Sequence, residues 1–177
     1  MSTKFHMSRS KGAGLAAALV GAAVAGVGVL PSAAQSPPPP PSVQPLSGRA
    51  VFTDDVDVKI KVKGHGEGAV VSNAKDPSRT VTAQITVPPG SNFGWHTHPG
   101  PVVVNVKQGE LVYVQAEDCS RRSYLAGTAF IDPGHGHVHN AYNPATSGDT
   151  VLIATFFEAP ATGSLLIPAQ APADCQI

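Results

Sequence analysis

Charge is scarce in this 177-residue chain: Lys, Arg, Asp and Glu make up 14% of it, as 12 basic and 12 acidic residues with no formal net charge. Such a balance excludes a broad affinity for nucleic acid or for acidic substrates. Beyond the N-terminal region no stretch has the spacing of an amphipathic helix, which excludes a helical bundle. No internal repeat is visible, so a duplicated pair of domains is excluded too. A twin-arginine pair is missing from the N-terminal region. Cysteine is confined to Cys119 and Cys175. What is plentiful is glycine (18) and proline (17), which suit many strands joined by turns.

The N-terminus has the pattern of an address. Lys4, Arg9 and Lys11 precede an apolar run from Ala13 to Leu30, and Ser32 and Ala34 fit a signal-peptidase site. Residues 1–34 are therefore expected to be a secretory signal, cleaved near Ala34 and leaving Gln35 first, with no membrane association afterwards. The alternative is a retained membrane anchor, although this run is rich in weakly hydrophobic Ala and Gly and barely long enough to span. A Pro-rich linker, residues 35–48, contains SPPPPPS and is expected to be an extended polyproline spacer. The folded domain then covers residues 49–177. Export to an oxidising compartment favours a Cys119–Cys175 disulfide over two unpaired thiols.

Within that domain Val56, Val58, Ile60 and Val62 alternate with Asp57 and three lysines, the pattern of a half-buried strand whose charged face resists edge pairing. His65, in the following turn, is expected to be a solvated loop residue. Residues 80–87 alternate in the same way and stop at Pro88-Pro89-Gly90. Further strands are expected at 102–106, 111–115, 128–131, 137–142 and 150–158, separated by Gly- and Pro-bearing turns. Short strands at this spacing predict an all-β sandwich or barrel.

Two stretches concentrate histidine: GWHTHPG around His96 and His98, and DPGHGHVHN from Asp132 to Asn140. On a strand His96 and His98 share a face, about 6–7 Å apart, where two imidazoles can converge on one metal ion. The second stretch can supply a third ligand.

These stretches resemble the paired motifs of the cupin superfamily. Gly90, His96 and His98 match the first motif, with Gly109 at its closing glycine. Gly127, Pro133, Gly136, His139 and Asn143 are similar to the second, with one extra residue between the proline and the glycine. The resemblance covers about residues 49–158. It implies an antiparallel jelly-roll β-barrel with one divalent transition metal held by His96, His98 and His139. The departure lies at Val102, where the family places a glutamate ligand; Val103 is no better, and Glu110 lies too far on to replace it. Some cupins work with three histidines alone, and such a site keeps the full dipositive charge.

Imidazole ligands suit Fe(II), taken as the first choice, and equally Zn, Mn, Ni or Cu. The resemblance implies a small-molecule ligand or substrate, and pairing of barrels into a homodimer. Two function classes stay open. One is a dioxygenase-like oxidoreductase acting on a small organic acid, phenol or diketone; the other is a non-catalytic metal- or ligand-binding module. Metal-dependent lysis or isomerisation is a third possibility. His137 is the candidate general base, Trp95 is expected to pack away from the metal, and Phe93 and Tyr113 are core residues that can also line the barrel mouth. Val102, Val103 and Val104 are expected to wall the pocket. Arg121 and Arg122 are read as a solvated loop rather than an anion-binding pair.

Overall fold

Alternating apolar and polar side chains decide the sheets, because a strand sends successive side chains to opposite faces. The computed structural model describes residues 36–63, 69–75 and 79–177; the expected signal segment and His65 lie outside them. The strands of the described residues are β1 (Ser42–Pro45), β2 (Ala50–Val51), β3 (Asp57–Lys63), β4 (Ala69–Lys75), β5 (Arg79–Val87), β6 (His96–Thr97) and β7 (Val102–Gln108). They continue with β8 (Glu110–Gln115), β9 (Arg121–Leu125), β10 (Ala129–Asp132), β11 (His139–Tyr142), β12 (Thr150–Phe156) and β13 (Ile167–Pro168). No helix among the described residues is long and apolar enough to cross a membrane.

The paired strands are antiparallel and form two main sheets. One has the order β1-β5-β12-β7-β10, with β2 also on β5; the other is β13-β6-β11-β8-β9. The core lies between them. Ala83, Ile85 and Val87 of β5, Val102, Val104 and Val106 of β7, and Leu152, Ala154 and Phe156 of β12 meet Leu111, Tyr113 and Ala141 of the second sheet. Each fully buried Val, Leu or Phe stabilises by about 1.5–3 kcal/mol. A one-residue slip of β7 would turn Asn105 and Lys107 inward, which fixes its register. β3 and β4 make a separate hairpin, with Lys59, Lys61 and Lys63 exposed as the alternation predicts.

Two expectations need correction. Ser42–Pro45, read as part of a spacer, pairs with Ala83–Thr86 as an edge strand, and the compact unit runs from Ser36 to Ile177. Extended polyproline is close to strand geometry, and an edge position tolerates a residue without an N–H. Arg121 and Arg122, read as loop, open β9 opposite Val114 and Tyr113. Their strand has no buried apolar residue, so it carries no hydrophobic alternation; its pairing with β8 makes it a strand.

Cys119 and Cys175 are joined, with Cα atoms 5.3 Å apart, tying the C-terminal segment to the turn after β8. In the chain-entropy model, closing a loop of this length is worth about 4 kcal/mol. Reduction is therefore expected to lower the thermal midpoint by roughly 10 °C. An unchanged midpoint with fully reduced thiols would contradict this.

Candidate metal centre

Register brings the three histidines together. His96 opens β6, directly opposite His139 of β11, with Pro168 of β13 on its other side. Directly opposed residues share a face, and the His96 and His139 ring centroids lie 4.2 Å apart. His98 follows β6 immediately and closes the triangle, 4.9 Å from His96 and 5.2 Å from His139. All three are buried, and one ligand atom from each lies within 4.8 Å of the others. Nitrogens bound at about 2.1 Å to one ion stand about 3.0–3.4 Å apart, so closing on a metal asks for small ring movements only.

Hydrogen bonding fixes the tautomers. His96 Nδ1 lies 2.8 Å from the Gly94 carbonyl and His98 Nδ1 2.7 Å from the Leu165 carbonyl. A carbonyl can only accept, so both Nδ1 atoms carry the proton and both Nε2 lone pairs are left over. His139 Nδ1 lies 3.0 Å from Asp132 Oδ2, which also accepts a 2.5 Å bond from the Tyr113 hydroxyl. Asp132 Oδ1 accepts from the Gly134 N–H. The Tyr113 ring stacks on His139 at 4.7 Å. This donor set fits a divalent transition metal: three imidazoles, each oriented through its second nitrogen.

The electrostatics agree. Burial, reinforced by His139, holds His96 neutral down to about 3, against an ordinary 6.5. Burial also pulls His98 down. Burial alone would raise the Asp132 carboxyl, but the hydrogen bond from His139, the charges of His139 and His98, and the Tyr113 bond hold it well below the usual range. Burial and the Asp132 charge push the Tyr113 phenol up, so it stays a donor.

The downward shifts of His96, His98 and Asp132 act in one direction on stability. Above 6.5 the folded and unfolded chains bind the same protons at His96 and His98. Below it the unfolded chain takes up protons that the folded one refuses. The metal-free protein should therefore lose about 1.4 kcal/mol per pH unit through His96 as pH falls from 6.5 towards 3, and His98 adds a loss of the same sign below 6.5. Asp132 adds a further loss below 3.8. Urea unfolding in chelator across this range is the check; stability that rises on acidification would contradict it. Asp132→Asn, which removes the charge oriented on His139, is expected to weaken metal binding about 10–100-fold in a competitive chelator titration. An unchanged affinity would mean that Asp132 does not tune the site.

The histidines sit in a cavity of about 460 Å³. Val102 and Val104 wall it together with Leu152 and Phe156, while Val103, on the opposite face of β7, is not in its lining. Val102, standing where the family has glutamate, is 1% exposed, so this wall is apolar at that position. Phe93 and Tyr113 line the cavity, and Trp95 and Glu110 do not.

His137 stands near His139, with ring centroids 6.5 Å apart, but outside this cavity. It lines a second cavity of about 670 Å³, with its Nδ1 3.1 Å from Glu117 Oε1. Residues 134–137 form a turn closed by a bond from His137 N–H to the Gly134 carbonyl, so strand parity does not carry back from His139. Asp132 is the site residue that sequence reasoning missed, because Asp-Pro-Gly reads as turn chemistry. Asn143, the last residue of the second motif, is buried and donates to the Val87 and Gly148 carbonyls, a structural role.

No family model and no curated protein matches the chain. Solved structures do. A cupin-like protein from Thermotoga maritima is similar at 20% identity, over 54% of this chain and 68% of that one, with a TM-score of 0.45. An RmlC-like cupin from Shewanella frigidimarina is similar at 28% identity, over 45% and 67%, with a TM-score of 0.39. A polyketide cyclase from Streptomyces resistomycificus is similar at 17% identity, over 54% and 63%, with a TM-score of 0.43. By its own two antiparallel sheets and the three histidines that its paired motifs bring to one cavity, the chain has the fold of a small cupin.

Proposed function

We propose that this chain is an exported, metal-dependent oxidoreductase of the dioxygenase type, acting on a small organic acid, phenol or diketone. His96, His98 and His139 would hold one divalent ion, Fe(II) in first place. The observation that carries the reading is a cluster of three buried imidazoles at an apolar wall, with Val102 where a carboxylate ligand would stand. Such an ion, when bound, supplies open coordination positions and an undiminished positive charge for a substrate oxygen. The chain's own contribution is orientation and dryness. Tyr113 and Asp132 hold His139, backbone carbonyls hold His96 and His98, and Val102, Val104, Leu152 and Phe156 exclude water. The Cys119–Cys175 bridge supports an oxidising compartment.

One observation favours the non-catalytic reading. Asp132 is saturated by its partners, and His137 lines the other cavity, so neither offers a free base inside the histidine cavity. An oxygen-electrode screen of the iron-loaded protein over small acids, phenols and diketones separates the two. Substrate-dependent oxygen uptake that is lost in His139→Ala supports the oxidoreductase. Tight ligand binding without uptake would replace it with a binding module.

A further inference from the structure

Among the described residues the cavity lining contains one cation, Arg49. It is half-buried, among lining residues that reach the surface: Pro40, Val43, Gly163 and Ser164. Its guanidinium donates to the Pro160 carbonyl and, at 2.5 Å, to the Gly163 carbonyl. No carboxylate of the described residues lies within ion-pair distance of it; Glu158 is paired with His135 and Asp132 with His139. A guanidinium has five N–H donors, so the two carbonyls orient the fork and leave donors over. A partly desolvated cation without a counter-ion, beside an apolar wall, favours an anion.

We propose that Arg49 is an anion-binding end of this cavity and selects a small carboxylate ligand. The ligand's apolar body would lie on the Val, Leu and Phe wall and its other end would face the histidines. The inference rests on reading this cavity as the substrate site and narrows the substrate to an acid. Arginine suits the task because its planar fork matches a carboxylate bidentately. The segment that fixes Arg49 also serves the histidines: Pro160 and Gly163 accept from Arg49, and two residues on Leu165 accepts from His98. A role limited to pinning that segment would give no preference for charge in a ligand.

The test uses 3-phenylpropionate and its amide, equal in shape and different in charge, titrated calorimetrically into metal-free and zinc-loaded protein. The metal-free protein is expected to bind the carboxylate at least about ten-fold tighter than the amide, through charge-assisted bonds to Arg49. In Arg49→Gln the preference should vanish. If that variant does not fold, Arg49→Lys, which keeps charge but loses the fork, should still reduce it. Equal binding of the two probes, binding of neither, or a preference that survives Arg49→Gln overturns the proposal. Failure of the protein to take up zinc is a separate result. It would sink the metal reading and leave an anion preference in the metal-free protein standing.

Discussion

His96→Ala is expected to reduce bound divalent metal from about one equivalent to a small fraction of one, because a three-ligand site cannot hold the ion on two neutral imidazoles. No other ligand is poised to replace it. Val102 occupies the position of a carboxylate, and Asp132 is committed to His139, Tyr113 and Gly134. The fold should survive, since position 96 keeps its backbone pairing with His139 and Pro168 whatever its side chain. Removing a buried imidazole also removes a desolvated polar group. Elemental analysis after dialysis, beside a β-rich circular dichroism spectrum, is the check. Full metal occupancy in the folded variant would refute His96 as a ligand.

Gly134→Ala is expected to be the most damaging small substitution near the site. Gly134 has φ +63°, and an added Cβ would stand 2.1 Å from the Gly100 carbonyl oxygen and 2.3 Å from its carbon. Those atoms are backbone and cannot rotate away. Gly100 has no room to retreat either, since its own Cβ position is 2.8 Å from the Phe157 carbonyl oxygen and from Glu158 Cβ. The two glycines press together the loops that carry His98 and Asp132. Left-handed strain plus a backbone overlap should cost at least about 3 kcal/mol, or roughly 10 °C in midpoint. Gly136→Ala is the control: φ is +84°, but nothing lies within 4 Å, so strain alone should cost about 1 kcal/mol. Equal losses in the two variants would show that the close approach at Gly100 is not what demands glycine.

The parts of this fold legible in the sequence are those written in local periodicity. β5, β7 and β12 show alternation because one face of each is buried, and each expected strand overlaps an observed one, whereas β2, β4 and β13 were not expected. The clustering of His96, His98 and His139 was legible through motif spacing, although strand parity is an incomplete reason for the approach of His96 and His98. β6 is two residues long, so long-strand parity is not what aligns them; pairing with β11 and the Leu165 carbonyl do so. What stayed hidden depends on distant partners. β1 is a strand because β5 offers an edge, and β9 because β8 does. Asp132 becomes a site residue through Tyr113 and His139, and Arg49 through carbonyls more than a hundred residues away. His137 shows the converse, where apparent parity with His139 is broken by the turn between Gly134 and His137.

The central claim is that His96, His98 and His139 hold one metal ion, and the metal content of the protein purified from its native compartment without chelator tests it most directly. About one equivalent of a transition metal per chain is expected, iron first, retained through gel filtration and absent from His96→Ala. A chain that carries none, and takes up none on reconstitution at neutral pH, would contradict the claim and leave the three histidines as part of a metal-free ligand cavity.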